Sequence, residues 1–303
     1  MITCTPYADL PPELVERLEA AGLEPEHVHA AVVRALEEDV PGMDVTSVAT
    51  LDPTEVSTGD LVTRSAGVVA GLDVAELVMR AVAGDDVRVE AQASDGQRVS
   101  RGGVLLTVRG RTVDLLTAER TALNFLCHLS GVATTTARWV DALEGTGARV
   151  RDTRKTTPGF RALEKYAVRC GGGVNHRATL SDQALVKDNH VLAAGGVVPA
   201  YAAVRERFPG VPVQVEVTTL DQLRELLDAG CDQILLDNMD VATMAEAVRL
   251  TAGRARLEAS GGLDLSRARE VAETGVDFLA VGALTHSAPV LDVAMDLRPE
   301  GAT

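Results

Sequence analysis

In the second half of the chain, chemically active side chains and glycines follow the ends of successive apolar segments. In chain order they are Asp152-Thr153-Arg154-Lys155-Thr156, Lys187, Glu216, Asp237, Ser260-Gly261-Gly262 and Gly282-Ala283. If these segments are parallel strands, their carboxyl ends meet at one edge and the side chains converge there. Ionisable groups gathered at one mouth can bind a charged substrate and stabilise charge that develops during a reaction.

One part of this set is cationic and suits carboxylates or phosphates. It consists of Arg154, His176, Arg177 and Lys187, and a guanidinium group can contact a carboxylate through two parallel hydrogen bonds. Residues 149–190 contain nine Lys or Arg and four Asp or Glu, a local charge of +5 in a chain of −15. A cleft of that sign attracts anions even though the whole chain is acidic.

The glycine turns and an acidic pair suggest two further roles. The turns at 260–262 and 282–283 resemble loops that hold phosphate in β/α barrels, although ordinary turns are the alternative. Glu216 and Asp237 are candidates to bind Mg²⁺ or its waters, or to stabilise a cationic transition state. Both are expected to stay ionised at neutral pH, because nearby cations favour the charged form. The alternative is that they only form salt bridges with the lysines.

The elements that would position these residues alternate between apolar strands and helices. Strands are predicted at 148–153, 183–187, 213–217, 233–237, 256–260 and 277–281. Helices are predicted at 160–170, 197–208, 219–229, 240–252 and 264–274. This α/β alternation is typical of a parallel sheet that is closed, or nearly closed, into a barrel, here with six strands rather than eight.

The first third of the chain has a different pattern, which predicts an α+β domain. The expected elements are helices at 11–39 and 72–83, strands at 56–63 and 67–70, and paired strands around a turn at Asp95-Gly96. A long helical stretch at 119–144 is expected to be interrupted near Ser130-Gly131. We therefore divide the chain into an N-terminal domain at 1–118, connecting helices at 119–147, a catalytic barrel at 148–285, and a segment at 286–303 that returns to the N-terminal domain.

The composition excludes several classes of protein. The chain has 303 residues, 46% of them apolar, so it can bury a large core and is not disordered as a whole. An isoelectric point of about 4.8 and an aromatic content of 3% disfavour nucleic acids and anionic membranes as partners. We expect neither a membrane-spanning segment nor a secretory signal. Four cysteines without metal-ligand spacing favour a cytoplasmic protein with inert thiols.

At these residues the chain resembles the quinolinate phosphoribosyltransferase family, whose members act in NAD biosynthesis. The motifs that carry the resemblance are collinear and cover nearly the whole chain. They are Thr117-Ala118-Glu119-Arg120-Thr121-Ala122-Leu123-Asn124, Leu129-Ser130-Gly131-Val132-Ala133-Thr134, Asp152-Thr153-Arg154-Lys155-Thr156, Pro158-Gly159, Lys165-Tyr166-Ala167-Val168, Gly171-Gly172-Gly173, His176-Arg177, Lys187-Asp188-Asn189-His190, Glu216-Val217, Leu235-Leu236-Asp237-Asn238 and Ser260-Gly261-Gly262. The block at 152–190 is highly specific, whereas the glycine turns alone would be weak.

The resemblance implies an incomplete, open parallel β/α barrel of about six strands, with an N-terminal α+β domain of the open-faced sandwich type. It implies an enzyme that transfers the phosphoribosyl group of phosphoribosyl pyrophosphate to quinolinate. The products would be nicotinate mononucleotide, pyrophosphate and CO2. It also implies a homodimer, with a hexamer as the alternative, in which Arg120 of one subunit reaches the site of the other.

The same resemblance implies a role for each group of residues. The quinolinate site would be formed by Arg120, Arg154, His176, Arg177 and Lys187. The phosphoribosyl pyrophosphate site would be formed by Lys155, Glu216, Asp237, Ser260, Gly261, Gly262, Gly282 and Ala283. Lys155, Lys187, Glu216 and Asp237 would be catalytic, and the two carboxylates would bind Mg²⁺ through water. Lys165 would lie in a helix as a structural residue.

Three other functions stay open on the sequence alone. A related phosphoribosyltransferase of the same fold could use a different acceptor, since fold alone does not determine function. An aldolase could form a Schiff base at Lys187, which borohydride would trap. A non-catalytic binding protein would be expected to lose Glu216 or Asp237, and both are present.

Overall fold

The computed structural model describes residues 2–299, and the contacts within the chain divide it into two units. Within the described residues, the first unit contains 2–135, Thr157–Gly172 and 288–299. The second unit contains Thr136–Thr156 and Gly173–Ser287. None of the helices within residues 2–299 has the length and hydropathy of a bilayer-spanning segment. The domain boundaries drawn from the sequence stay a prediction.

In the first unit, an antiparallel sheet packs against helices. The helices are α1 (Pro12–Ala20), α2 (Pro25–Asp39), α3 (Val45–Thr50), α4 (Leu72–Ala83), the first part of α5 (Thr112–Ala142) and α6 (Arg161–Cys170). The strands are β1 (Val56–Thr63), β2 (Gly67–Val68), β3 (Arg88–Ala91), β4 (Arg98–Val99), β5 (Val104–Arg111) and β12 (Val293–Pro299). The sheet has the order β12-β1-β5-β3, and β2 pairs with β4. Leu36, Leu77 and Leu106 are at most 1% exposed and mark the core between sheet and helices.

The helical region expected at 11–39 is two helices, α1 and α2. Pro25 lies in the first turn of α2, where its missing N–H needs no partner, and it prevents α1 from continuing through this point. The sequence pattern also missed α3. Asp44 caps that helix, because its carboxylate accepts hydrogen bonds from Thr46 N at 3.1 Å and Ser47 N at 3.0 Å.

The interruption expected near Ser130-Gly131 is wrong, since α5 runs unbroken from Thr112 to Ala142. A Cβ atom on Gly131 would lie 2.3 Å from Pro289 O, so this position needs glycine for a close approach of backbone. Ser130 Oγ accepts a hydrogen bond from Ala70 N at 3.0 Å and donates one to Ala70 O at 3.2 Å. Both residues are packing positions of a continuous helix.

The second unit is a sheet of six parallel strands covered by helices. The strands are β6 (Arg149–Arg151), β7 (Ala184–Val186), β8 (Val213–Val217), β9 (Gln233–Asp237), β10 (Arg256–Ser260) and β11 (Phe278–Ala280). The helices are α7 (Asp188–Ala194), α8 (Val197–Arg207), α9 (Leu220–Asp228), α10 (Val241–Thr251), α11 (Ala268–Ala272) and α12 (Ala283–His286). The strand order is β6-β11-β10-β9-β8-β7, with β6 and β7 at the two edges. The open six-stranded β/α barrel expected from the sequence is confirmed.

The barrel strands form where short apolar segments can be buried on both faces. In β9, Ile234, Leu235 and Leu236 are all buried, as is typical of parallel strands covered by helices. The loop after β8 ends at Thr219, whose hydroxyl accepts from Gln222 N and caps α9. Asp240 caps α10 in the same way after β9. These caps set the direction in which the chain leaves each strand end.

Candidate active site

A cavity of about 580 Å³ lies at the carboxyl ends of the six barrel strands. Its lining comes from the second unit and includes every residue of the predicted site except Arg120. The predicted residues that line it are Arg154, Lys155, His176, Arg177, Lys187, Glu216, Asp237, Ser260, Gly261, Gly262, Gly282 and Ala283. The strand-end pattern of the sequence thus corresponds to a single cavity.

Four cations line the cavity, and we call them the cationic wall: Arg154, Lys155, Arg177 and Lys187. Within residues 2–299, Arg154 Nε is buried and has no hydrogen-bond acceptor. Burial lowers the pKa of Arg177, and the positive charge of Arg154 lowers it further. An anion between these guanidinium groups would supply the missing acceptor and relieve their repulsion.

The cavity also contains the carboxylates of Glu216 and Asp237, which lie on adjacent strands. In the register of the sheet, Glu216 of β8 pairs with Leu235 of β9, two residues before Asp237. Burial raises the pKa of Glu216, the neighbouring Asp237 raises it further, and Lys187 only partly opposes them. The pKa of Glu216 is thus raised in spite of the nearby lysine, because a half-buried carboxylate beside a second acid is harder to ionise. That the pair stays ionised at neutral pH stays a prediction.

A glycine turn after β10 forms the third part of the cavity. Gly261 has a φ of +94°, and a Cβ there would lie 2.2 Å from Asn238 Oδ1. The backbone of Asn238 is tied to the same turn, since its N–H donates to Ser260 O at 2.9 Å. Only glycine fits at this point, and the exposed backbone of 261–262 can approach a phosphate closely.

Two polar residues in the middle of barrel strands were missed by the sequence analysis. Glu258 of β10 lines the cavity, and Gln214 of β8 donates a hydrogen bond from Nε2 to Glu258 Oε2 at 3.2 Å. Glu258 is 1% exposed and Gln214 is 2% exposed. Side chains two residues apart on a strand share a face. Gln214 lies two residues before Glu216, and Glu258 lies two residues before Ser260, so this spacing could have identified Gln214 and Glu258.

The loop between α6 and β7 is fixed by a buried carboxylate. Asp152, which is fully buried, accepts from His176 N at 2.7 Å and from Asn175 Nδ2 at 2.6 Å. Arg177 Nη1 donates to Gln183 O at 2.9 Å. These contacts hold two members of the predicted quinolinate site, His176 and Arg177, against the barrel.

The remaining chemically active residues lie outside this cavity. Arg120 is an exposed residue of α5, and Lys165 is a buried residue of α6, both in the first unit. The four cysteines are free, and burial raises the pKa of each thiol, to about 11 for Cys170 and Cys231. The thiols are therefore protonated and unreactive at neutral pH.

A divalent cation would find the carboxylates of Glu216 and Asp237 on adjacent strands, whereas the third carboxylate of the cavity, Glu258, is bound by Arg151 and Gln214. No group of three or more His, Cys, Asp or Glu that could hold a metal occurs in the part of the chain that the structure describes. Mg²⁺ is often bound through one or two carboxylates, with phosphates and water as its other ligands. Glu216 and Asp237 fit that mode, and a cation beside them would offset their repulsion.

The open parallel barrel, with cationic and acidic groups around one cavity, defines an α/β-barrel enzyme that acts on anionic substrates. Comparison with known proteins identifies its family. The family model described as "Quinolinate phosphoribosyl transferase, C-terminal domain" matches residues 132–296, and the corresponding N-terminal domain model matches residues 44–130. The chain belongs to the quinolinate phosphoribosyltransferase family.

Individual relatives agree with this assignment. A nicotinate-nucleotide pyrophosphorylase (carboxylating) of Mycobacterium leprae is 54% identical over 269 residues, which is 87% of this chain and 95% of the relative. A mitochondrial quinolinate phosphoribosyltransferase (decarboxylating) of Nicotiana tabacum is 34% identical and covers 98% of this chain and 94% of the relative. The crystal structure of NadC from Streptococcus pyogenes is 42% identical, with a TM-score of 0.88, covering 91% of this chain and 98% of that one.

Proposed function

We propose that this chain is a quinolinate phosphoribosyltransferase of NAD biosynthesis. It transfers the phosphoribosyl group of phosphoribosyl pyrophosphate to quinolinate and releases pyrophosphate and CO2, so that nicotinate mononucleotide is formed. The observation that carries the proposal is that one cavity combines the cationic wall, the acidic pair and the glycine turn. The relatives named for this reaction support it.

The cationic wall suits the two adjacent carboxylates of quinolinate. Arg154 and Arg177 lie close enough for their charges to interact, and Lys187 follows β7 and lines the same cavity. Each guanidinium can donate two hydrogen bonds to a planar carboxylate, and the buried Nε of Arg154 still needs an acceptor. Contacts between these cations and the two carboxylates would orient the quinolinate ring, with its nitrogen directed towards Glu216 and Asp237.

The glycine turn and Lys155 suit phosphoribosyl pyrophosphate. The backbone of Gly261 and Gly262 can contact the phosphate, and Lys155 can offset charge on the pyrophosphate. The backbone of Lys155 is held in place, because Thr285 Oγ1 donates to its carbonyl at 2.8 Å. Glu216 and Asp237 are then left for the ribose hydroxyls and for the sugar carbon that becomes positive.

The reaction needs no covalent intermediate with the enzyme. The ring nitrogen of quinolinate forms a bond to ribose C1 as the bond from C1 to pyrophosphate breaks, and the electron pair leaves with pyrophosphate. The sugar passes through an oxocarbenium-like state, which nearby carboxylates stabilise. The bond from the ring to its 2-carboxylate then breaks, the positive nitrogen accepts the electron density, and a proton replaces CO2.

Mg²⁺ is the cofactor we propose, with Glu216 and Asp237 as the residues that would hold it, directly or through water. When bound, the ion would neutralise charge on pyrophosphate as it departs. Two carboxylates on adjacent strands supply oxygen donors of the kind that Mg²⁺ takes up with phosphate.

We also propose that the enzyme is a homodimer, with a hexamer as the alternative, in which Arg120 acts on the partner's site. Its support is the place of Arg120, an exposed cation outside the cavity of its own barrel unit. We place the enzyme in the cytoplasm, in keeping with four free thiols of raised pKa.

An acceptor comparison tests the proposed function. The purified protein is incubated with Mg²⁺, phosphoribosyl pyrophosphate and one acceptor, either quinolinate, nicotinate or nicotinamide, and the products are separated by chromatography. We expect nicotinate mononucleotide from quinolinate, with one CO2 per nucleotide. Turnover of nicotinate but not quinolinate would instead indicate a relative with another acceptor, and a borohydride-trapped adduct at Lys187 would indicate an aldolase.

A further inference from the structure

A series of hydrogen bonds runs from Glu258, which lines the cavity, to the backbone of Arg177. Gln214 Nε2 lies 3.2 Å from Glu258 Oε2, and Gln214 Oε1 lies 2.7 Å from His176 Nε2. The other ring nitrogen, His176 Nδ1, lies 2.7 Å from Arg177 N. The side chain of His176 is 6% exposed, and Gln214 and Glu258 are buried, so these hydrogen bonds are almost wholly shielded from solvent.

The donors and acceptors in this series of hydrogen bonds can be assigned from its two ends. The Glu258 carboxylate accepts from Arg151 Nη1 at 2.7 Å, so it is an acceptor that draws the amide nitrogen of Gln214 towards it. The amide oxygen must then face His176, which requires a hydrogen on Nε2. At the other end, the backbone N–H of Arg177 requires a lone pair on Nδ1.

Both ends therefore require His176 to be neutral, with its hydrogen on Nε2. An imidazolium would carry a hydrogen on Nδ1 as well, directed at the N–H of Arg177. Gln214 Oε1, at 2.7 Å, takes the hydrogen of Nε2, whereas Glu258 Oε1 lies 3.6 Å from the same nitrogen, beyond hydrogen-bond distance. That oxygen of Glu258 is buried and has no hydrogen-bond partner within residues 2–299.

We propose that Gln214 and Glu258 are positioning residues of the carboxylate-binding side of the cavity. They hold His176 as a neutral ring, and through its Nδ1 they place the backbone of Arg177. The inference rests on the proposed function, because its consequence is quinolinate affinity. The positive charge that meets the two carboxylates then comes from the cationic wall, and His176 contributes shape and orientation.

The spectroscopic test uses Gln214→Met, which keeps the length of the side chain and removes both hydrogen-bonding groups. In histidine-labelled wild-type protein, two-bond ¹H–¹⁵N spectra at pH 7 should show His176 as the neutral tautomer with hydrogen on Nε2. In Gln214→Met the ring can turn towards the unpartnered oxygen of Glu258, and we expect the imidazolium pattern. The His176 signals are assigned from their disappearance in His176→Gln.

The kinetic test measures both substrates. In Gln214→Met the KM for quinolinate should rise by about tenfold, because a small displacement of a binding group weakens a charged contact, while the KM for phosphoribosyl pyrophosphate changes by less than about twofold. The matched control is Gln97→Met, which removes an amide contact at 3.0 Å from Ser94 N in the first unit, outside the cavity. The control should leave both KM values unchanged.

A second pair of variants guards against a misfolded Gln214→Met. His176→Gln supplies a neutral N–H donor and should keep the KM for quinolinate within about fivefold of wild type, whereas His176→Ala should not. An imidazolium in wild type, or equal losses in His176→Gln and His176→Ala, would overturn the inference. Failure of wild type to use quinolinate would overturn the proposed function instead, and the tautomer would still be read from the spectrum.

Discussion

Arg154 is the residue at which charge and geometry can be separated by one substitution. Arg154→Lys keeps a positive charge but loses the two-pronged guanidinium and its buried Nε. We expect the KM for quinolinate to rise at least about tenfold, because hydrogen bonds between ions are the strong ones. The KM for phosphoribosyl pyrophosphate should change far less. Arg256→Lys, an exposed position at the start of β10, is the control, and equal losses for both substrates in Arg154→Lys would refute the division of the cavity.

Asp237 is the residue at which a catalytic role and a structural role differ most clearly. Asp237→Asn keeps the shape and removes a charge where the sugar carbon becomes positive. We expect kcat to fall by roughly 10²–10³-fold with little change in the dissociation constant of quinolinate. The same substitution should lower the pKa of Glu216, because burial remains but the neighbouring charge is gone.

The outcome for Asp237→Asn is judged against its melting temperature and against Asp232→Asn, immediately before the start of the same strand. If Asp237 only held a lysine in place, Asp237→Asn would melt at a lower temperature and bind quinolinate more weakly. Its kcat at saturation would then stay close to wild type. That pattern would contradict the role proposed for the acidic pair.

The site residues at strand ends could be predicted from the sequence, whereas the polar residues inside the strands were missed. Glu216, Asp237 and Ser260 follow apolar segments directly, so their place at the mouth is set by the direction of parallel strands. Gln214 and Glu258 lie inside strands, where a polar residue is expected only if it has a buried partner. The partner of each is on another strand, and no local pattern shows that they meet.

At the level of single elements, α5 provides a test of why a helix contains glycine. Gly131→Ala should raise helix propensity by about 1 kcal/mol, yet its Cβ would lie 2.3 Å from Pro289 O. A clash with backbone is not easily relieved, and we expect a net loss of about 1–3 kcal/mol in the free energy of unfolding, measured with urea.

The matched control for Gly131→Ala is Gly147→Ala, where nothing lies within 4 Å of the added Cβ. That variant should unfold at the same denaturant concentration as wild type or a slightly higher one. A stabilised Gly131→Ala protein would mean that the contact between α5 and the chain at 289–290 is not tight.

Helices and strands, like the site residues, could be predicted where the cause lies in the local sequence and not where it lies far along the chain. The bounds of β1, β8, β9, β10 and α4 coincide with those expected, because each is a clear apolar period between turn residues. The interruption expected in α5 was wrong because the reason for Gly131 lies at Pro289, far along the chain. The split between α1 and α2 is marked in the sequence by Pro25, but the apolar spacing continues across it.

At the level of the whole molecule, the proposed action of Arg120 on a partner subunit can be tested by complementation. Arg120→Ala and Lys155→Ala proteins should each be nearly inactive. After subunit exchange, half of the dimers would be mixed, and each mixed dimer would have one intact site. We therefore expect about a quarter of wild-type activity. No recovery, with exchange shown by differently tagged subunits, would mean that each subunit uses its own Arg120.

The most direct test of the whole account is a crystal structure of the enzyme with quinolinate bound. We predict that its two carboxylates lie against Arg154 and Arg177, with Lys187 close by and the ring nitrogen directed towards Glu216 and Asp237. Quinolinate bound against Gly261 and Gly262, or outside the cavity at the carboxyl ends of the barrel strands, would contradict the account.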